Sequence, residues 1–303
     1  MYLTLLLISV SAYGLQNVLI GHLARRMDLL WVTTARGICL GVFMSPLLLA
    51  GDAAAWSQLA TYSPFLLAAC GCALMANLAQ MFAVRHLPMA IAVAIGQALA
   101  AIAILLWELF LGAGLPPTSE LLCISGVMSG VIILGWISSR GQTLSADAKP
   151  WLGILACVAF GAAMASALIP LGVLSRQVSP FIAAWAWECG IGIVGLCCIL
   201  ARSSVVRLPM PDWRKFMRIG LCASPTVLGT GAYTYATTLG SLTIAGGVLS
   251  AMMVATAIAA RLIYRERLST AQWLAIAATC ACLIALGIVQ WASPISPAPT
   301  PLP

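Results

Sequence analysis

Apolar runs of about 19–24 residues alternate along the chain with short polar turns, and the pattern occurs ten times. The runs cover residues 2–20, 29–50, 63–84, 88–111, 119–138, 151–172, 180–201, 216–238, 241–263 and 269–291. As helices rising about 1.5 Å per residue, each is long enough to cross a hydrocarbon core of about 30 Å. The pattern predicts an all-α integral membrane protein with ten transmembrane helices.

The distribution of charge orients these helices. Counting turns from the first, the odd-numbered ones, with the run ends that border them, hold 13 of the 15 Lys and Arg residues, among them Arg25, Arg26, Arg85, Arg140, Lys149, Arg214, Lys215, Arg218, Arg261, Arg265 and Arg267. The even turns and both termini hold only Arg176, and Arg36 lies inside the second run. Basic loops remain cytoplasmic, so both termini are expected on the outer, periplasmic side of the inner membrane. Shifting one boundary would destroy this sorting, which supports the count of ten. Val10-Ser11-Ala12 looks like a signal-peptidase site, but no basic segment precedes the first run and Arg25 and Arg26 follow it, so the run reads as a retained helix.

Composition narrows the chemistry. The chain is 62% hydrophobic and 8% charged, with a mean hydropathy of +1.04, whereas soluble domains carry about 25% charged residues. The net charge of +7 is therefore a topology signal and an attraction to anionic lipid, not a nucleic-acid footprint. All eleven cysteines fall inside the runs and read as small buried hydrophobes. His22 and His86 sit at run ends, so no His-based metal site is expected. The phosphate-binding, zinc-protease and serine-hydrolase motifs are absent from the sequence. Neither enzyme activity nor a cofactor is expected.

The halves are faintly alike. Offset by 153 residues, 83–115 lies over 236–268 without a gap and matches at Ala83, Ile91, Ala92, Ala98, Leu109 and Leu115. Five runs per half is an odd number, so a duplicated half is inverted in the membrane, a recurrent plan among secondary transporters. The expected division is 1–145 and 146–292, each a five-helix repeat, followed by a disordered Pro-rich tail at 293–303.

The stretch Leu262-Ile263-Tyr264-Arg265-Glu266-Arg267-Leu268-Ser269-Thr270-Ala271-Gln272-Trp273 resembles the turn before the last helix of EamA-type members of the drug/metabolite transporter superfamily. Arg36 resembles an Arg frequent in the second helix of that family, and Ala83-Val84-Arg85-His86-Leu87-Pro88 resembles its short turn between helices 3 and 4. The first-half counterpart of the hinge, Gly112-Ala113-Gly114-Leu115, lacks the acidic and basic residues. The resemblance spans about 2–291 and implies a ten-helix transporter of small metabolites, often an exporter of amino acids or related compounds.

Charged groups inside the bilayer are costly and mark functional sites by default. Arg36 lies about eight residues into the second run from the cytoplasmic side, and Glu188 as far into the seventh from the outer side. Under the offset they are near-equivalent positions of opposite charge. Three readings stand open: flanking a central cavity that takes a zwitterion or a coupled proton, a structural pair, or two groups hydrated separately at opposite cavity mouths. Their depths differ by roughly 10 Å at 1.5 Å per residue, which argues against direct contact. Trp185 and Trp187 bracket Glu188 as a candidate aromatic wall. Asn77 and Gln80 share one helix face, and Gln97, Tyr13, Tyr233, Tyr235 and Asn17 complete the candidates. Each is equally explained by hydrogen bonding between helices. Glu108 is expected at the outer interface, Glu120 and Asp52 in loops or at the interface, and Glu266 as a surface group. Trp31, Trp136, Trp151, Trp213 and Trp291 are expected as interface anchors. Gly126 and Gly130, with Gly192 and Gly195, are expected at close helix contacts. Gly229, Gly231 and Pro225, with Gly246 and Gly247, are candidate flexing points.

Two classes of function follow. One is a secondary or facilitative transporter of neutral or zwitterionic solutes working by alternating access, with protons a candidate coupling ion and amphipathic cations a competing substrate. The other is a flippase or accessory membrane subunit without solute flux. Monomer and homodimer both remain open.

Overall fold

The computed structural model describes residues 1–24, 27–50, 53–110, 116–140, 149–203, 212–265 and 267–292. Arg25, Arg26, Asp52, the Gly112–Leu115 hinge, the division at 145/146, Glu266 and the tail lie outside the described residues. The helices are α1 (Tyr2–Ala24), α2 (Leu29–Met44, followed by a 3-10 turn Ser45–Ala50), α3 (Ala53–His86), α4 (Met89–Phe110), α5 (Thr118–Ser139), α6 (Pro150–Gln177), α7 (Pro180–Ser203), α8 (Trp213–Ala223), α9 (Pro225–Thr237), α10 (Leu242–Leu249), α11 (Met252–Tyr264) and α12 (Thr270–Ala292). Helices satisfy every interior backbone group within the segment, which lipid demands. The chain is an all-α membrane protein.

Nine described segments are long and apolar enough to cross a bilayer, α10 and α11 counting as one. The expected run 216–238 instead falls on two short helices, α8 and α9, interrupted at Ser224-Pro225. Proline has no N–H to give the carbonyl of Leu221, four residues back. That carbonyl accepts the Ser224 hydroxyl at 2.8 Å and its N–H at 3.2 Å instead. A second Ser-Pro step repeats the device inside α3, where the Ser63 hydroxyl bonds the carbonyl of Ala60 at 2.8 Å and the helix runs on across Pro64. With 34 residues, α3 starts ten residues before the expected run and is about 51 Å long.

Helix ends follow their capping residues. Asp28 caps α2 by accepting the Trp31 N–H at 3.2 Å, and its other oxygen pairs with Arg202 at 3.2 Å. Arg265 ends α11 in the left-handed region at φ 55°, a common helix stop. Ser269 and Gln272 then form a reciprocal capping box that starts α12. The hinge singled out in the sequence is thus a stop signal followed closely by a start signal.

The main helix pairs are α3 with α6, α2 with α7, α5 with α12, α4 with α6, and α1 with α9 and α11. Taking α8 with α9, and α10 with α11, as one segment each, these main pairs survive exchange of every segment for the one five places on, whereas α4·α5 has no comparable counterpart between α10 or α11 and α12. The pair α3·α6 maps onto α9·α1, and α4·α6 onto α11·α1, while α2·α7, α5·α12 and α4·α10 map onto themselves. Small residues make these contacts close. Gly126 and Gly130 of α5 abut Cys282 and Thr279 of α12, and Gly161 of α6 abuts Leu99 and Ala100 of α4. Gly246 and Gly247 pack against Ile104 and Ile124; the helix is interrupted at Ser250 and Ala251 instead. Trp136, Trp151, Trp213 and Trp291 are exposed, as anchors require, but Trp31 is buried between helices.

Candidate functional site

The centre of the bundle is where α2 crosses α7. A Cβ on Gly37 would lie 2.6 Å from the backbone nitrogen of Gly192 and 2.9 Å from the carbonyl of Glu188, so only glycine permits this approach. Gly195 sits against Thr34, and Gly41 against Cys189. These contacts run in opposite directions along the two helices, which are therefore antiparallel, with Arg36 level with about residue 193.

Arg36 and Glu188 meet. The Arg36 Nη2 donates to Glu188 Oε1 at 3.1 Å. This corrects the expectation that their depths keep them apart. Glu188 lies five residues beyond the level of Arg36, about 7.5 Å along the axis, and an extended arginine side chain covers that distance. Counting Cα heights leaves out side-chain reach.

The pair is deeply buried: Glu188 is 0% exposed and the Arg36 side chain 12%. Glu188 Oε1 also accepts the Thr230 hydroxyl at 2.8 Å, and Thr230 shares a hydrogen bond with the Tyr13 hydroxyl at 2.8 Å. Four helices, α1, α2, α7 and α9, thus converge on one carboxylate oxygen. Its other oxygen, Oε2, has no partner among the described residues, nor do Arg36 Nε and the hydroxyl of Tyr233. Unpaired buried polar atoms are rare in native proteins and call for a reason.

Thr230 was not among the sequence candidates. A signal was present: Thr226, Thr230 and Thr234 recur every four residues on one face of α9 and all are 0% exposed. Thr226 bonds Gln16 of α1, so the threonine face is the polar seam between α9 and α1.

The remaining candidates are dispersed. Trp187 is buried in the core, and Trp185 meets Trp56 edge-on at 5.9 Å. Tyr233 points inward and is 1% exposed, whereas Tyr235 stacks on Phe181 at 6.0 Å. Asn77 donates to the carbonyl of Ala73 in its own helix at 2.8 Å. Gln80 is half-buried on α3, Gln97 is buried in α4, and Asn17 contacts Met252 at 3.0 Å. Of the eleven substrate or coupling candidates, only Arg36, Glu188 and Tyr13 join through hydrogen bonds in one network among the described residues. A groove of about 660 Å³ between α1 and the α8–α9 break is lined by apolar side chains such as Leu7, Leu15 and Leu228 and by none of these candidates. No cluster of metal-ligating side chains occurs among the described residues.

Apolar spanning helices enclosing a buried, hydrogen-bonded ion pair define a polytopic membrane protein with a polar centre. Residues 151–289 match the EamA-like transporter family. That match covers rather less than half of the chain; over it the chain carries an EamA-like domain, a family within the drug/metabolite transporter superfamily whose members are membrane transporters of small solutes. A solved crystal structure of a protein superposes with a TM-score of 0.70 at 14% identity, covering 96% of this chain and 99% of its own; at that identity the likeness concerns the fold. No curated protein matches the chain.

Proposed function

We propose that the protein is an inner-membrane carrier of small zwitterionic or aromatic metabolites, amino acids or related compounds, that works by alternating access between two inverted five-helix halves. The observation that carries this reading is the Arg36–Glu188 pair. It joins one residue from each half at α2·α7, a helix contact that the exchange of halves leaves in place. The pair offers both signs of charge that a zwitterion needs: the ammonium takes the place of Arg36 on the carboxylate, and the solute carboxylate takes the guanidinium. A lone cation would have to compete with Arg36 and leave that charge buried and unpaired, which disfavours the cation reading. A proton on Glu188 would also release Arg36, so protons are the coupling ion proposed. Basic residues crowd the end of the bundle that holds the α3–α4 and α11–α12 turns, and by the positive-inside rule this end is cytoplasmic.

Solute counterflow in proteoliposomes tests the reading, with a panel of amino acids, nucleosides and organic cations, run with and without a pH gradient. Saturable uptake of one zwitterionic class is expected. Flux of organic cations alone would replace the substrate class, and no flux from folded protein would favour an accessory subunit.

A further inference from the structure

At the end of the bundle that carries Tyr2, three side chains from three helices close on the turn between α9 and α10. Glu108, near the end of α4, accepts the backbone N–H of Leu242 at 3.1 Å and of Thr243 at 2.8 Å. It also accepts the hydroxyls of Ser241, at 3.2 Å, and Thr243. The first N–H groups of a helix have no partner within it, and a carboxylate also suits the positive end of the helix dipole. Glu108 therefore caps α10 from another helix. Arg176, at the end of α6, donates to the carbonyls of Thr237 at 2.7 Å and Gly240 at 2.6 Å, groups left over where α9 stops. The Tyr2 hydroxyl of α1 donates to the carbonyl of Ser241 at 2.5 Å. One turn is thus held by seven hydrogen bonds from α1, α4 and α6.

At the opposite end the corresponding positions carry different residues. The exchange of halves puts the α3–α4 turn there in place of the α9–α10 turn. Under the 153-residue offset, Glu108 falls on Arg261, Arg176 on Leu23 and Tyr2 on Leu155. An arginine is the wrong charge to cap a helix N-terminus, and leucines cannot bond carbonyls. Beside the α3–α4 turn, the Lys149 N–H donates to His86 Nδ1 at 3.3 Å.

We infer that Glu108, Arg176 and Tyr2 form a latch that holds the Tyr2 end of the transport path shut, and that its release opens the central site to that side. The three are gating residues, remote from the Arg36–Glu188 pair, and act by positioning the α9–α10 turn over the threonine face that holds Thr230. The inference rests on the alternating-access reading above.

The test introduces Thr230→Cys as a near-isosteric reporter and applies a membrane-impermeant maleimide to right-side-out and inside-out vesicles; the chain without that substitution sets the background. Adding Glu108→Gln is expected to raise labelling from the Tyr2 end several-fold and leave labelling from the basic end unchanged. Tyr2→Phe removes a single bond and is expected to act in the same direction with smaller effect. If Glu108→Gln does not insert, Tyr2→Phe decides. Unchanged labelling in the variants, or an equal rise from both ends, would overturn the latch, since a merely structural loss loosens both sides. Counterflow by the otherwise unaltered chain is measured in parallel: its absence beside one-sided labelling would sink the transport reading and leave the latch standing.

Discussion

Replacing Glu188 by Gln separates the structural worth of the buried pair from its functional worth. The substitution keeps the shape of the side chain and removes its charge, leaving Arg36 almost wholly buried beside a neutral amide. Removing one partner of a buried ion pair costs about 3–5 kcal/mol. The amide oxygen can still accept from Thr230 and Arg36, as Oε1 does at 2.8 and 3.1 Å, so the lower figure of about 3 kcal/mol applies, or roughly a hundredfold in the folding equilibrium. Replacing both charges by apolar groups of similar volume is often neutral or stabilising. The double variant Arg36→Met, Glu188→Leu is therefore expected within about 1 kcal/mol of the starting protein. Thermal unfolding in detergent measures stability, and counterflow in proteoliposomes measures flux. Both variants are expected to lose flux, but only the single one to lose stability. If the double variant recovered flux together with stability, the pair would be a packing device and the central argument would fail.

Other predictions rest on separate contacts. Gly37→Ala would push a Cβ into the backbone of α7 and should cost about 1–3 kcal/mol in thermal unfolding, whereas Gly71→Ala, with nothing within 4 Å, should be neutral or gain up to about 1 kcal/mol; equal effects would refute the crossing geometry. Tyr13→Phe deletes the hydroxyl that bonds Thr230. It should cost about 0.6 kcal/mol of stability yet lower flux several-fold, and unchanged flux would remove Tyr13 from the site. Pro225→Ala gives Leu221 a helical N–H partner and lets α8 join α9, so unfolding should shift upward while turnover falls; a turnover that held steady would dismiss the break as a hinge. A phosphatase fused after Ala292 should be active and a fluorescent protein at the same point dark if the termini face outward, and the reverse result would invert the assignment of the two ends.

The helices were legible because the length and apolarity of a spanning run are set by the bilayer, and the run boundaries mostly agree with the helix ends to within a few residues. The failures are local. The run 216–238 reads as one helix by hydropathy, but Pro225 breaks it because the carbonyl it orphans finds a nearer donor in Ser224. Arg36 and Glu188 were found because charge inside the bilayer is expensive, but their contact was missed. It depends on which helices pack together and how closely Gly37 lets them approach, and neither appears in a single sequence. Glu108 was placed at the interface by its position near a helix end. Its actual role, capping a helix that begins 134 residues later, depends on the pairing of α4 with α10. Thr230 was visible as part of a four-residue threonine period and was passed over because hydroxyls are individually unremarkable in membrane helices.

The two charged clusters share a property that helix pairing alone does not explain. Exchange of the halves preserves the main contacts between helices but not the side chains at them. Under the offset, Arg36 maps onto Cys189 and Glu188 onto Ala35, just as Glu108 maps onto Arg261. A backbone of this symmetry offers two arrangements, each closed at one end, that differ little in packing. Which is lower in energy must then be decided by the residues that break the symmetry. The latch places seven hydrogen bonds at the Tyr2 end. On the proposed topology and with the proposed latch, that end would be outward and closed at rest, and the central site would be filled first from the cytoplasm, the order of events that export requires. Under the proposed function a solute that reaches Glu188 would displace Arg36 and disturb Thr230 on α9, whose far end is held by Arg176 at Thr237. Occupancy of the centre is thereby connected through one helix of 13 residues to the latch that must open next.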